Sequence, residues 1–148
     1  MRDFLTHDQA GTWPKVLVIR LPLLDKLELI VAELQREGRS GAVKVMSGFR
    51  TPQYNAQGVG PRGGRARDSR HMYGDAADIY VDADGDGRMD DLDGDGRVTV
   101  RDARWLAALA GRVEQAYPGV TGGIGVYRAT AAHGPFVHVD VRGTPARW

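Results

Sequence analysis

Two histidines and one aspartate carry the residue types and spacing of a metal centre. His71 and Asp78 lie in the segment 69–78, and His138 lies in the segment 136–140 near the end of the chain. Two imidazoles and one carboxylate are three ligands of the kind that Zn²⁺ takes in proteins, with a fourth coordination position left open. A hydrolytic zinc centre needs that open position for its substrate or for the attacking water. The spacing therefore indicates a zinc site suited to hydrolysis.

Alternating patterns predict that two strands position these ligands. Residues 77–81 and residues 136–141 each alternate between apolar and polar side chains. Because successive side chains of a strand point to opposite faces, Asp78 lies on the face that its apolar neighbours do not occupy. The same holds for His138, and His71 lies in a loop that turns back into the first of these strands. Both strands are predicted to present ligands on the open face of one sheet.

Two amphipathic helices are predicted to cover the opposite face. Apolar residues at helical spacing predict one helix that begins at Pro22 and stops at Gly38, and a second helix over about residues 101–117. The other predicted elements are strands at 42–46 and 124–127 and a short helix at 53–56. The fold class is α+β, with a small antiparallel sheet, helices on one face and the zinc site on the other. A calcium-binding loop insertion interrupts this single domain of residues 1–148.

The composition excludes several classes of protein. A length of 148 residues fits one domain with its own core, and a net charge of +1 argues against bulk binding to nucleic acid. No apolar run is long enough to span a membrane, and we recognise no signal peptide in the first twenty residues. The chain has no cysteine, which excludes thiolate ligands and disulfides. We expect a monomer.

The segment around the first two ligands resembles a known family. It reads Ser-x-His-x-x-Gly-x-Ala-x-Asp, the pattern of the zinc D-alanyl-D-alanine carboxypeptidases. Wider relatives of that family are D-Ala-D-Ala dipeptidases, L-alanyl-D-glutamate endolysins, murein endopeptidases and the hedgehog signalling domain. Residues 47–52 resemble the family's Ser-Gly-Tyr-Arg-Ser/Thr block, and residues 122–127 and 136–143 resemble its closing strands. The resemblance covers roughly residues 20–148, interrupted by an acidic insertion.

This resemblance implies a function and a set of roles. The three candidate ligands would bind Zn²⁺, and Arg50 would stabilise negative charge as the tetrahedral intermediate forms. A structural alternative for Arg50 is a salt bridge to Asp75 or Asp140. The substrate would be peptidoglycan stem peptides, cleaved by a D-Ala-D-Ala carboxypeptidase, an L-Ala-D-Glu endopeptidase or another murein endopeptidase. Such a protein would be secreted, periplasmic or delivered to the cell wall by a phage. The alternative is a non-catalytic binding module of the same fold, pinned by zinc.

The general base is where the chain departs from the family. Many relatives carry Glu or Asp three residues before the last histidine ligand, and here that position is Pro135, which cannot take a proton. His133 is the best local substitute, because an imidazole has a suitable pKa and related murein endopeptidases use histidines in this stretch. Its structural alternative is an exposed loop histidine beside Gly134. Asp140 is the other candidate, either as the base or as a residue that orients a ligand.

The acidic insertion, residues 82–102, matches a calcium-loop pattern twice. Aspartates at the first, third and fifth positions and a glycine at the sixth are typical of EF-hand or dockerin-type loops. In the first copy the candidate ligands are Asp82, Asp84, Asp86, the carbonyl of Arg88, and Asp90. In the second copy they are Asp91, Asp93, Asp95, the carbonyl of Arg97, and Asp102. The second copy is preferred as the Ca²⁺ site because a predicted helix follows it directly.

The two copies overlap at Asp93, which would be the last ligand of the first loop and the second aspartate of the second loop. Two ions fit together only if Asp93 bridges them or if one loop is incomplete. A bound ion would fix the start of the second helix, and the alternative is an acidic linker held open by its own repulsion. A separate basic stretch precedes the first histidine ligand, with Arg62, Arg65, Arg67 and Arg70. It is either a solvated surface or a region that attracts anionic cell-wall polymer or a substrate carboxylate.

Overall fold

The computed structural model describes residues 18–60 and 63–148. Its helices are α1 (Leu21–Arg36), α2 (Pro52–Gln57) and α3 (Val100–Ala116), with 3₁₀ turns at Arg70–Tyr73 and Pro118–Val120. Its strands are β1 (Val43–Ser47), β2 (Ala76–Val81), β3 (Gly123–Tyr127), β4 (Phe136–Asp140) and β5 (Ala146–Arg147). The five strands form one sheet in the order β1-β2-β4-β3-β5.

The predicted α+β class is confirmed, but the sheet is mixed and not purely antiparallel. The pairs β1–β2, β2–β4 and β3–β4 are antiparallel, whereas the final strand β5 pairs with β3 in the parallel sense. The sequence reading missed β5 because two residues are too short to show an alternating pattern. Its pairing places the end of the chain next to β3, on the side away from β4.

Helices α1 and α3 pack on one face of the sheet, as predicted. Their buried apolar residues are Leu23, Leu27, Ile30 and Leu34 in α1 and Ala103, Leu106, Leu109, Ala110 and Val113 in α3. These side chains contact the apolar residues of the two central strands, Ala77, Ile79, Val81, Val137 and Val139. The core therefore lies between the helices and the sheet, and the other face of the sheet is left for polar side chains. Within the described ranges no helix is long and apolar enough to cross a membrane.

Lys26 is a charged residue inside this core that the amphipathic pattern does not reveal. Its Nζ donates hydrogen bonds to a carboxylate oxygen of Glu114 on α3 and, at 2.7 Å, to the backbone carbonyl of Asp140 at the end of β4. Glu114 also accepts from the Gly122 amide and pairs with Arg147. Burial lowers the pKa of Lys26, and the contact with Glu114 partly offsets that effect. This network ties α1 and α3 to the strand ends next to the candidate site.

A β-bulge in β1 changes the direction of the strand end next to the candidate ligand Asp78. The register shifts between Val45 and Ser47, so that Ser47 lies opposite Asp78 on β2. A bulge re-aims the side chain that follows it. Ser47 Oγ then accepts a hydrogen bond from Arg50 Nε at 3.2 Å. The bulge therefore brings the end of β1, and the arginine after it, towards the candidate ligands.

Candidate metal centre

The sheet register brings two of the three predicted ligands face to face. β2 and β4 are antiparallel neighbours, and Asp78 lies directly opposite His138. His71 comes from the 3₁₀ turn just before β2, which closes at Gly74 with a φ of +67°. A side chain at position 74 would strain this left-handed conformation and would meet Val18. All three predicted ligands are buried, and the structure brings them together.

The three donor atoms form a nearly equilateral triangle. Asp78 Oδ1 lies 3.2 Å from His71 Nε2 and 3.0 Å from His138 Nδ1, and the two nitrogens are 3.2 Å apart. Ligands about 2.0–2.1 Å from a tetrahedral Zn²⁺ are separated by about 3.3 Å. The spacing of the donors therefore fits zinc.

The outer ring nitrogens, His71 Nδ1 and His138 Nε2, point away from the donor triangle, and each has a hydrogen-bond partner. His71 Nδ1 lies 2.7 Å from the Gly48 carbonyl oxygen, which can only accept a hydrogen bond. His138 Nε2 lies 3.2 Å from Asp140 Oδ2. In the neutral rings these contacts place the hydrogens on the outer nitrogens, so that two nitrogen lone pairs and a carboxylate converge on one point. Such a set of acceptors is suited to a cation between them.

Electrostatics keeps the carboxylates of Asp78 and Asp140 in their charged form. Burial alone would raise the pKa of Asp78, but the two imidazoles hold that pKa below its usual range. Burial also opposes ionisation of Asp140, yet contacts with His138, Arg142 and the Gly123 amide keep its pKa low. Both carboxylates are therefore ionised at neutral pH, Asp78 as a candidate ligand and Asp140 as the hydrogen-bond partner of His138 Nε2.

Two glycines, Gly122 and Gly123, pack closely against Asp140. Its carboxylate accepts from the Gly123 amide at 2.8 Å and from the amide and side chain of Arg142. A Cβ at Gly122 would lie 1.9 Å from the Asp140 carbonyl oxygen, and one at Gly123 would lie 2.4 Å from its carboxylate. The close approach of these backbones requires glycine at both positions. These contacts hold the Asp140 carboxylate next to His138 and support an orienting role for Asp140.

Arg50 contacts the candidate ligand Asp78 and neither of the two carboxylates considered from the sequence. Its Nη2 donates to Asp78 Oδ2 at 3.1 Å. Asp75 is instead bound by Arg70, and Asp140 by Arg142. Burial lowers the pKa of Arg50, and the charge of Asp78 partly offsets that effect. This placement puts the guanidinium beside the ligand set.

His133 lies in the wall of the same groove but does not touch the ligands. Its Nδ1 is 2.8 Å from the Gly134 carbonyl oxygen, and its ring packs edge-on against Phe136 with centroids 5.0 Å apart. Its Nε2 has no protein partner in the described ranges. The structure thus leaves one ring nitrogen of His133 for a substrate or a water molecule.

A groove of about 610 Å³ runs over the metal ligands. One part of its lining is cationic, with Arg50, Arg65, Arg70 and Arg142, and another is aromatic, with Tyr127, Phe136 and Trp148. Arg62 of the basic stretch lies outside the described residues. Sequence reasoning missed Trp148, whose ring centroid is 5.3 Å from that of His138. The ring lies over Gly125, where a Cβ would come within 2.4 Å of it, and this glycine was the only signal in the sequence.

The acidic insertion folds into two similar turns. In the first, Asp82 accepts from the amides of Gly85 and Gly87, and in the second, Asp91 accepts from the amides of Gly94 and Gly96. All four glycines have a positive φ between 76° and 81°. The same hydrogen bonds recur nine residues apart, so the repeat seen in the sequence is a repeat of local structure.

The candidate calcium ligands are only partly brought together. Asp82, Asp84 and Asp86 converge in the first turn, and Asp91, Asp93 and Asp102 converge in the second. Asp90 instead caps the amide of Ala83. Asp95 and Asp93 pair with the Arg101 guanidinium.

Asp102 has a role in the protein itself. Its carboxylate accepts from the amides of Leu92, Asp93 and Thr99, and with Thr99 it forms the capping box that begins α3. The expected helix therefore starts directly after the second turn. The apolar residue Val98 is half exposed, whereas its counterpart in the first turn, Met89, lies in the core.

Comparison with protein families gives one match. The family model described as peptidoglycan L,D-endopeptidase MepK, of the M15 peptidases, matches residues 15–87, just under half of the chain. The matched segment contains Arg50, His71 and Asp78 and ends before His138. No curated protein and no solved structure matched the chain.

The match supports the M15 peptidase family and a peptidase that acts on peptidoglycan. M15 peptidases are typically zinc-dependent, and the structure contains a candidate His/Asp site for a metal ion. The third ligand, His138, rests on the motif in its strand and on its position opposite Asp78.

We predict that Asp140→Asn weakens zinc binding about 10- to 100-fold, because an amide cannot hold the outer hydrogen of His138 as a carboxylate does. Competition with a zinc-chelating dye measures the affinity. The control is Asp68→Asn, which removes the same charge from the lining of the same groove without touching a ligand. Equal zinc affinities of the two variants would show that Asp140 does not orient His138.

Proposed function

We propose that this chain is a zinc-dependent peptidase that cleaves the stem peptides of peptidoglycan. The observation that carries the proposal is the convergence of His71 Nε2, Asp78 Oδ1 and His138 Nδ1 along an open groove, with the outer nitrogens of both rings already bonded. The family match supports the substrate class. An enzyme for this polymer acts in the periplasm or outside the cell.

Each part of the site has a chemical task under this proposal. Zn²⁺ bound by the three ligands would polarise a peptide carbonyl and lower the pKa of a water molecule. Arg50 is partly buried beside Asp78, where its guanidinium would donate to the oxygen that gains negative charge during attack. Its donors are worth more there than in water, because the local dielectric constant is lower.

His133 is the proposed proton carrier. The Nε2 of this histidine faces no protein partner in the described ranges, and its Nδ1 is held by the Gly134 carbonyl. Asp140 is a poorer candidate for the base, because its carboxylate already accepts bonds from Gly123, His138 and Arg142.

Two hydrolytic reactions on peptidoglycan fit the candidate site. The description of the matched family favours an L,D-endopeptidase. The second candidate is a D-Ala-D-Ala carboxypeptidase, which the Ser-x-His-x-x-Gly-x-Ala-x-Asp motif resembles equally well. Pro135 favours a third possibility, a zinc-pinned binding module, because it removes the carboxylate that many relatives use as base.

We predict that zinc-loaded protein releases D-alanine or muropeptide fragments from purified sacculi and that the chelator-stripped protein releases neither. Mass spectrometry of the products distinguishes the reactions. Loss of cross-linked dimers indicates an endopeptidase, and free D-alanine indicates a carboxypeptidase. Asp78→Asn should abolish release, and Asp68→Asn, the matched change away from the ligands, should keep it. No release by fully metallated protein would reject the peptidase and support the binding module.

We predict that His133→Ala lowers kcat about 10²- to 10⁴-fold on a defined muropeptide, the usual contribution of a general base or acid. The zinc affinity of the variant should match that of the unchanged protein, because His133 contacts no ligand. Steady-state kinetics and the zinc titration together test this. An unchanged kcat would remove His133 from the mechanism.

The proposal includes structural calcium in the acidic insertion. What supports it is the repeated Asp-x-Asp-Gly-Asp-Gly turn and the convergence of three carboxylates in each copy. The first copy has no ion-pair partner in the described ranges, whereas in the second copy an ion would compete with Arg101 for Asp93. An ion in either copy would brace the chain between β2 and α3.

We predict that Ca²⁺ at about 100 times its dissociation constant raises Tm by about 5–10 °C, because binding to the folded state alone stabilises it. Scanning calorimetry in CaCl2 and in MgCl2 measures the shift. Asp82→Asn and Asp91→Asn, compared with Asp68→Asn, identify the copy that binds. A Tm that does not respond to millimolar Ca²⁺ would leave the insertion as an acidic turn region.

A further inference from the structure

Two arginines flank the candidate metal ligands, Arg50 on the side of Asp78 and Arg142 on the side of His138. Arg50 contacts the ligand Asp78 directly, and Arg142 contacts Asp140, the residue that holds His138. The first arginine belongs to the motif of the family, whereas the second follows β4 and has no role in the proposed function so far.

Contacts with Asp140 and Trp148 fix the Arg142 side chain but leave part of its guanidinium available to another group. Its Nε donates to the two oxygens of Asp140 at 2.9 and 3.0 Å, and its Nη2 donates to the same carboxylate. The guanidinium also lies over the Trp148 ring, 5.6 Å from the ring centroid. The side chain is 29% exposed in the lining of the groove, and its Nη1 has no protein partner in the described ranges. A donor with this geometry is ready for a second carboxylate.

The net charge of the groove also favours an anion. Four arginines line it, and the acidic residues in the lining are Asp68 and Asp78. Asp78 belongs to the ligand set, and its charge would be shared with a divalent cation. Asp75 and Asp140 balance Arg70 and Arg142 from behind the lining, so a bound divalent cation would make the groove positive and attract peptides that carry free carboxylates.

The other two arginines are placed differently. Arg65 donates to the Tyr54 carbonyl and stacks on the Tyr54 ring at 4.3 Å. Arg70 binds Asp75 and stacks on Tyr73 at 4.8 Å. Neither is joined to a metal ligand through its partner, as Arg142 is joined to His138 through Asp140.

We infer that Arg142 is a substrate-binding residue that recognises a free carboxylate within one or two residues of the scissile bond, on the side of His138. This inference rests on the proposed function and deepens it. The preferred substrate is an anionic stem peptide whose carboxylate near the cleaved bond is free and not amidated. Arg50 is left for the reacting carbonyl, so the two guanidiniums bind different groups of one peptide.

The test uses two peptides that differ only in a carboxylate or a carboxamide on the residue next to the scissile bond. The unchanged protein should prefer the carboxylate peptide by tenfold or more in kcat/KM, mostly through KM, as is typical of a charge-assisted hydrogen bond. Arg142→Gln should bring the ratio of the two kcat/KM values close to one. Arg36→Gln, which removes an exposed arginine on α1 far from the groove lining, should keep the preference.

A purely structural role would give a different result. If Arg142 only supports Asp140, Arg142→Gln lowers kcat/KM for both peptides by the same factor, and that outcome overturns the inference. Arg142→Lys serves if the glutamine variant fails to fold, because lysine keeps a charge beside Asp140 but lacks the planar fork. The lysine variant should lower the preference several-fold, and an unchanged preference also overturns the inference.

Binding without turnover separates this inference from the proposed function. The same two peptides, N-methylated at the scissile amide, are titrated by calorimetry into the zinc-loaded protein. If the unchanged protein cleaves neither original peptide, the proposed peptidase fails. A tighter affinity for the carboxylate peptide, lost in Arg142→Gln, then still supports Arg142 as a carboxylate-binding residue. Equal affinities for the two peptides would reject it.

Discussion

The arrangement of the site depends on one residue at the end of β4. The backbone carbonyl of Asp140 accepts a hydrogen bond from the buried Lys26, and its carboxylate holds the outer nitrogen of His138. One residue therefore connects the ion pair in the core to the orientation of the candidate ligand His138. Removing one partner of a buried ion pair costs about 3–5 kcal/mol, so the position of this strand end is strongly determined by the core. A metal site needs its ligands held within about 0.5 Å, and this connection supplies the support.

The parts of the structure that follow local patterns could be predicted from the sequence. The alternation in the two central strands placed Asp78 and His138 on the open face, and the helical spacing of leucines in α1 and α3 identified the residues that cover the other face. These patterns are reliable because burial of one face selects the side-chain period directly. The family motif added His71, whose ring approaches the other ligands from a turn that has no periodic pattern of its own.

The parts that depend on long-range contacts could not be predicted. Lys26 and Glu114 are 88 residues apart, and no spacing rule links a lysine in one helix to a glutamate in another. With 20 basic and 19 acidic residues, the sequence did not show which arginine pairs with which carboxylate. Arg50 was considered with Asp75 or Asp140, and it contacts Asp78. The short β5 and the position of Trp148 over Gly125 have the same cause, since both arise from the packing of the chain end against β3.

The candidate ligands Asp78 and His138 lie on strands, whereas the position of the missing acid lies in a loop. Pro135 can therefore replace the acid found in the resembling family without moving either of these ligands. Asp78 and His138 lie on paired central strands, where the register and the core fix their positions. Pro135 and His133 lie in the connection between β3 and β4, where the backbone makes no ladder hydrogen bonds with the ligand strands. A change in that connection alters the group that handles the proton but leaves the donor triangle in place. Under the proposed function, metal binding and proton transfer are therefore carried by separate parts of the fold, and the group that acts as base can vary while the ligand set stays the same.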